Sequence, residues 1–135
     1  MNVNKLHTDR QILRCIFTMY RDDYPAKGDP FIEIDPIKVA GKLGCHPELL
    51  FGRLYFDMGT RLRHRDPRDP NVTLASVYEK RAGEKRNVVN FPYLAAVLAG
   101  LESENRRTRL ALWLSSAALI VSIVGLVVQY LRVKV

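Results

Sequence analysis

The stretch Leu110–Leu131, LALWLSSAALIVSIVGLVVQYL, runs for 22 residues without a charged side chain. At about 1.5 Å per residue a helix of that length covers roughly 33 Å, and a bilayer core is about 30 Å thick. Arg106, Arg107 and Arg109 precede it, and Arg132 and Lys134 follow it. Trp113 and Tyr130 lie 17 residues apart, roughly 26 Å along a helix, the spacing of interfacial aromatics. A helix apolar on every side needs a large core or lipid around it, and the rest of this chain is too small to enclose it. The stretch is read as a transmembrane helix over 110–131, with Arg106, Arg107, Arg109, Trp113, Tyr130 and Arg132 as interfacial anchors.

Everything before that span is then a domain held at a membrane surface. The chain has 135 residues and a net charge of +7, unevenly spread. Met1 to Gly52 carries seven basic and seven acidic residues, whereas Arg53 to Arg109 carries twelve basic and seven acidic. A basic second half suits nucleic acid or anionic lipid, where each basic group near the surface contributes roughly 1 kcal/mol. Cys15 and Cys45 form no CxxC pair and no secretory signal is read at the start, so both are expected as free thiols in a reducing compartment. The same reading places the N-terminal domain on the cytoplasmic side, with the short basic tail carried across.

Taken in order, Thr8-Asp9 can cap a helix to about Tyr20, with Ile12, Leu13, Ile16, Phe17 and Tyr20 at i, i+3, i+4 spacing. Residues 25–30 form a loop, and the alternating Phe31–Asp35 reads as a strand. Asp35-Pro36 starts a second helix that Gly44 ends. His46-Pro47-Glu48 opens a third, expected to reach at least Leu62 with Leu50, Leu54, Met58 and Leu62 buried and Phe51 and Tyr55 beside them. The tandem Arg65-Asp66-Pro67-Arg68-Asp69-Pro70 is a solvated loop. Val72–Tyr78 and Arg86–Phe91 read as the strands of a hairpin with a basic turn. A fourth helix is expected from about Pro92, with an apolar face through Leu101, and to continue without a break into the span. The domain limits are 1–101, a basic juxtamembrane helical segment 102–109, the span 110–131 and a tail 132–135.

Helix, strand, helix, short turn, helix, hairpin, helix is an α+β order that resembles a winged helix-turn-helix domain over about Thr8–Leu101. The stretch Val39–Leu50 carries the local resemblance: Ala40 permits close helix packing, Gly44 stands at the turn, and Leu43 and Leu50 fill between the helices. The position that the family fills with an apolar residue is Arg53, followed by Leu54, which points to an altered turn or a shifted third helix. The resemblance implies a third helix in the DNA major groove and a wing on phosphate. The start of that helix offers only His46, Pro47, Glu48 and Gly52, and its basic residues come late. Arg53, Arg61, Arg63, Lys80, Arg81, Lys85 and Arg86 are the candidates for contact with nucleic acid or lipid headgroups.

No catalytic constellation stands out. His7, His46 and His64 lack ligand spacing, no Gly-rich phosphate loop is present, and Ser115, Ser116 and Ser122 lie in the span. No enzyme, cofactor or metal is expected. Within the span Ala111, Ser115, Ala118, Ser122 and Gly125 recur at steps of 4, 3, 4 and 3, a seam along which a second copy could approach closely. The expectation is a single-pass, membrane-anchored, non-enzymatic protein: an interaction or regulatory module at the membrane, with lipid and a protein partner around it. The alternatives are a membrane-tethered DNA-binding transcriptional regulator and, after it, an oligomerising membrane effector; a homodimer suits each.

Overall fold

Thr8 and Gln11 start the first helix reciprocally: the Gln11 backbone N–H donates to the Thr8 hydroxyl at 3.3 Å, and the Thr8 N–H donates to the Gln11 side chain at 2.9 Å. Such a capping box satisfies two donors that a helix start would leave unpaired, and losing the threonine costs about 1 kcal/mol. The computed structural model describes residues 7–24, 28–81 and 87–134. It is α+β, with a small sheet and a long apolar C-terminal helix, and divides into two units, Met1–Ala99 and Gly100–Val135.

In the first unit, helix α1 (Asp9–Tyr20) is followed by strand β1 (Phe31–Ile34) and helix α2 (Pro36–Leu43). Asp35 caps α2 by accepting the Ile37 N–H at 2.9 Å, and Pro36 occupies the first turn, where no N–H is needed. Gly44 ends α2 at φ 70°, a left-handed conformation that a Cβ would strain. Helix α3 (Pro47–Gly52) then passes into a π-helical segment, Arg53–Met58, and a single closing turn, α4 (Gly59–Arg61). The departure from α geometry begins at Arg53, the residue that stands off the apolar pattern. Leu50, Leu54 and Met58 are all buried at steps of four. In an α-helix of 3.6 residues per turn such a row drifts by about 40° per step, and the wider i→i+5 turn counters the drift.

The third helix thus ends at Arg61, short of the expected Leu62, which is half-buried outside it. Beyond it Arg63–Arg65 forms an unexpected strand, β2, paired antiparallel with β3 (Thr73–Ser76). The segment read as one strand, Val72–Tyr78, is two: β3 belongs to β2, and β4 (Tyr78–Lys80) pairs with β5 (Asn87–Asn90). Val77 lies between them, fully buried, its carbonyl accepting the Asn90 N–H at 3.0 Å. The hairpin β4–β5 is therefore present but shorter than expected, and its turn, including Lys85 and Arg86, lies outside the described residues. Strand β5 is central in a sheet of order β1-β5-β4, with Phe31 opposite Asn90 and Tyr78 opposite Val89.

The core joins Ile12, Leu13 and Ile16 of α1, Ile32 and Ile34 of β1, Val39 and Ala40 of α2, the Leu50–Leu54–Met58 row, and Val88 and Val89 of β5. The final helix, α5, runs from Phe91 to Lys134, and Phe91, Leu94 and Leu98 complete that core. Phe91 stacks on Phe17 with ring centroids 5.1 Å apart, tying the start of α5 to α1.

The second unit is helical from Gly100 to Lys134 and apolar enough to cross a membrane. Its most apolar window has a mean hydropathy of 2.4, and none of that window is buried. Arg106, Arg107, Arg109, Trp113, Tyr130 and Arg132 are exposed, as are the seam positions Ala111, Ser115, Ala118, Ser122 and Gly125.

Candidate functional site

Two arginines proposed from sequence as ligand contacts are paired with carboxylates of the domain itself, though both stay partly open to water. Asp9, in the first turn of α1, accepts from Arg53 Nη2 at 2.5 Å and from Arg61 Nη2. Asp57 closes the figure, meeting Arg53 Nη1 at 3.0 Å and Arg61 Nε at 3.1 Å. Two carboxylates and two guanidiniums alternate in a ring that ties α1 to the π segment. The charges cancel, and the Asp9 side chain is only 17 % exposed. The hydrogen bond from Arg61 holds the Asp57 carboxyl below its ordinary range, and the bonds from Arg61 to Asp57 and Asp9 raise the guanidinium further. These arginines join elements of the fold, and little of their charge is left for an external phosphate.

Around the far side of the π segment the surface is concave. A cleft of about 450 Å³ lies between the segment, α4 and strands β3 and β4. Tyr55 and Phe56 form one wall; their rings are nearly perpendicular, at 87°, with centroids 5.0 Å apart. Phe56 is 72 % exposed, the most open aromatic side chain of the first unit. Arg63, Glu79 and Lys80 stand at the rim, and Tyr78 and Ser76 at the base. Arg63 Nε donates to the Gly59 carbonyl at 2.6 Å, which leaves its terminal nitrogens directed by that anchor and not by a carboxylate. Lys80 lies over the Phe51 ring at 5.4 Å, and Phe51 stacks on Tyr55 at 5.5 Å.

Gly59 makes this arrangement sterically feasible. A Cβ there would stand 2.9 Å from the Leu54 carbonyl oxygen and 3.4 Å from that of Tyr78. The glycine lets the edge of β4 approach the helix end, and Ser76 Oγ fills the junction by donating to the Tyr78 carbonyl at 3.0 Å. The Tyr78 hydroxyl donates to Asn87 Oδ1 at 2.5 Å, and burial, helped by nearby Tyr55, pushes its pKa up to about 12.

The remaining sequence candidates separate. Arg81 is exposed, its guanidinium 5.0 Å from the centre of the Phe31 ring on β1. Arg63 and Lys80 meet at the cleft; Arg53 and Arg61 do not reach it as lining residues. Phe56, Thr60 and Glu79 are cleft residues that the sequence reading passed over. Phe56 carried a usable signal, because adjacent Tyr55 and Phe56 cannot both face the core of one helix.

A second hollow, between α1 and α2, is lined by His7, Cys15 and Met19 among others, and Cys15 Sγ lies 3.8 Å from Met19 Sδ. Both cysteines are free, and burial raises the pKa of each, keeping the thiols protonated and poorly nucleophilic. Among the described residues no three His, Cys, Asp or Glu side chains are grouped to hold a metal ion. No family model, curated protein or solved structure matches this chain.

Proposed function

We propose that this chain is a single-pass, membrane-anchored, non-enzymatic protein whose winged-helix-like N-terminal domain serves as a protein-interaction module at the membrane. The element order and a sheet in which β1 joins the β4–β5 hairpin support the winged-helix-like reading. The anchor rests on the length and hydropathy of the second unit's helix, none of whose most apolar window is buried.

The observation that carries the interaction reading is the character of the exposed α2–α3 surface. Ile37 on α2 is 69 % exposed and Leu49 on α3 50 %, and His46 and Glu48, close to Leu49 in the chain, are exposed as well. A helix that reads DNA would place donors near its start; α3 offers Leu49 and the Glu48 carboxylate after His46, the exposed lysines Lys38 and Lys42 belong to α2, and Arg53 and Arg61 are paired with Asp9 and Asp57. Isolated exposed apolar residues are ordinary, but Leu49 lies on the third helix, to which the resemblance assigns recognition, and Ile37 opens the helix before it.

The alternative, a membrane-tethered DNA-binding regulator, draws on Arg63-His64-Arg65, all exposed along β2, and on Lys80 and Arg81. The two separate in a pair of measurements on the full chain, photo-crosslinking in cells and DNA titration of the purified protein in nanodiscs of zwitterionic lipid. The interaction reading expects photo-crosslinkers at Ile37 and Leu49 to trap one discrete protein in cells, and the purified particle to show no DNA binding at low salt. DNA binding that weakens steeply as salt rises, with no protein trapped, would replace the first reading by the second.

A further inference from the structure

We propose that the cleft beside the π segment is a binding site for a small planar aromatic anion, a flat ring carrying one phosphate or carboxylate group. The proposal concerns a different face from Ile37 and Leu49 and does not depend on what docks there.

Three features of the cleft point to that chemistry. The first is size: about 450 Å³ falls within the roughly 300–1,000 Å³ of small-molecule sites, large enough for a nucleoside monophosphate. The second is the wall. Tyr55 and Phe56, at 87° and 5.0 Å, make a corner in which a flat ring can stack on one face and meet the edge of the other. Such offset or edge-on geometry is what aromatic quadrupoles favour. The third is the rim charge. Arg63 and Lys80 against Glu79 leave one net positive charge, suited to a single anionic group on the ligand. Arg63 is the better phosphate or carboxylate donor. Its Nε is committed to the Gly59 carbonyl at 2.6 Å, so the planar fork is already oriented and loses little freedom on binding.

The backbone supplies an independent indication. A π turn inside an α-helix is uncommon and tends to occur at functional sites. Here it places Tyr55 and Phe56 side by side at the surface while Leu54 and Met58 stay buried.

The test is direct binding to full-length protein in zwitterionic nanodiscs, by equilibrium dialysis at low salt. The probes are adenosine 5′-monophosphate and indole-3-acetate, with ribose 5-phosphate and adenosine as the half-ligands. A single-stranded dodecanucleotide and a peptide bearing glutamate beside phenylalanine complete the set. The proposal expects one saturable site for at least one of the two aromatic anions, with each half-ligand at least tenfold weaker. Adenosine 5′-monophosphate binding better would name a nucleotide as the source; indole-3-acetate binding better would name an aromatic carboxylate. Phe56→Ala and Arg63→Gln should each weaken binding about tenfold while Cys45 stays protected from thiol reagents, the sign of an intact fold. No saturation by either anion at 10 mM (roughly the weak limit for a specific site) overturns the proposal. So does binding that neither folded variant weakens. Binding of the dodecanucleotide or the peptide more than a hundredfold tighter than the small anions also overturns it, in favour of a strand-binding or peptide-binding surface.

Discussion

Asp9→Ala removes one corner of the ring that joins α1 to the π segment. The Asp9 carboxylate is 17 % exposed and faces two guanidiniums that are 38 % and 50 % exposed. An exposed ion pair contributes about 0–1 kcal/mol, and breaking a buried one costs about 3–5 kcal/mol. With both arginines open to water, each lost pair belongs near the lower range, about 1 kcal/mol. Asp9 also stands at the positive end of α1, which adds roughly 0.3–1 kcal/mol. The loss is then about 2–3 kcal/mol, or about 10–20 °C in Tm for a domain of this size. Far-UV signal from the long C-terminal helix would mask the transition, so the readout is labelling of the buried Cys45 thiol in a Cys15→Ser background. In a double-mutant cycle Asp9→Ala and Arg53→Ala should couple by at least about 0.5 kcal/mol. A shift below about 0.5 kcal/mol, with no coupling, would mean the ring is a surface decoration and would return both arginines to the pool available for a ligand.

Three further outcomes follow from the same geometry. Gly59→Ala forces a Cβ to within 2.9 Å of the Leu54 carbonyl oxygen, whereas Gly52→Ala meets nothing within 4 Å; the first should destabilise by about 1–3 kcal/mol and the second should not, measured by the same thiol protection. Tyr78 should ionise near pH 12 in an ultraviolet titration, a late step that Tyr78→Phe removes. Because its folded pKa is raised, its contribution is complete below about pH 10 and is lost as pH rises towards 12; ionisation of every tyrosine together near pH 10 would contradict the burial. In the span, Ser122→Leu or Gly125→Leu should weaken self-association in a membrane assay while Leu126→Ala leaves it unchanged; equal signals from all three would dismiss the seam.

What could be read from the sequence was what neighbours in the chain decide between themselves. Thr8, the Asp35-Pro36 pair and Gly44 act on backbone groups within a few residues, and each stands where its chemistry placed it. The apolar row Leu50–Leu54–Met58 was equally legible; at Arg53 the sequence points to an altered turn or a shifted third helix, and the structure has a π segment beginning there. Strand β2 was not, because Arg63-His64-Arg65 shows no alternation and is a strand only through its pairing with β3 across a loop. The ring was less accessible still: Asp9 meets Arg53 and Arg61 at separations of 44 and 52 residues. Late arginines on a helix that resembles a reading helix suggest an external anion until their partners on α1 are placed. The cleft depends on the same long-range assembly, since its walls come from the third helix and from β3 and β4.

The serines of the span have one more consequence. Ser116 Oγ donates to the Leu112 carbonyl and Ser122 Oγ to the Ala118 carbonyl, each at 2.9 Å and four residues back in the same helix. A hydroxyl facing hydrocarbon without a partner carries a desolvation penalty of a few kcal/mol, and here the helix supplies the partner itself. These groups bring their own solvation into lipid, so insertion of a single copy leaves neither of them orphaned. Close approach of two backbones along the small side chains is then a source of attraction that does not draw on these two hydroxyls. On the proposed single-pass reading, pairing is not a condition for satisfying these two hydroxyls.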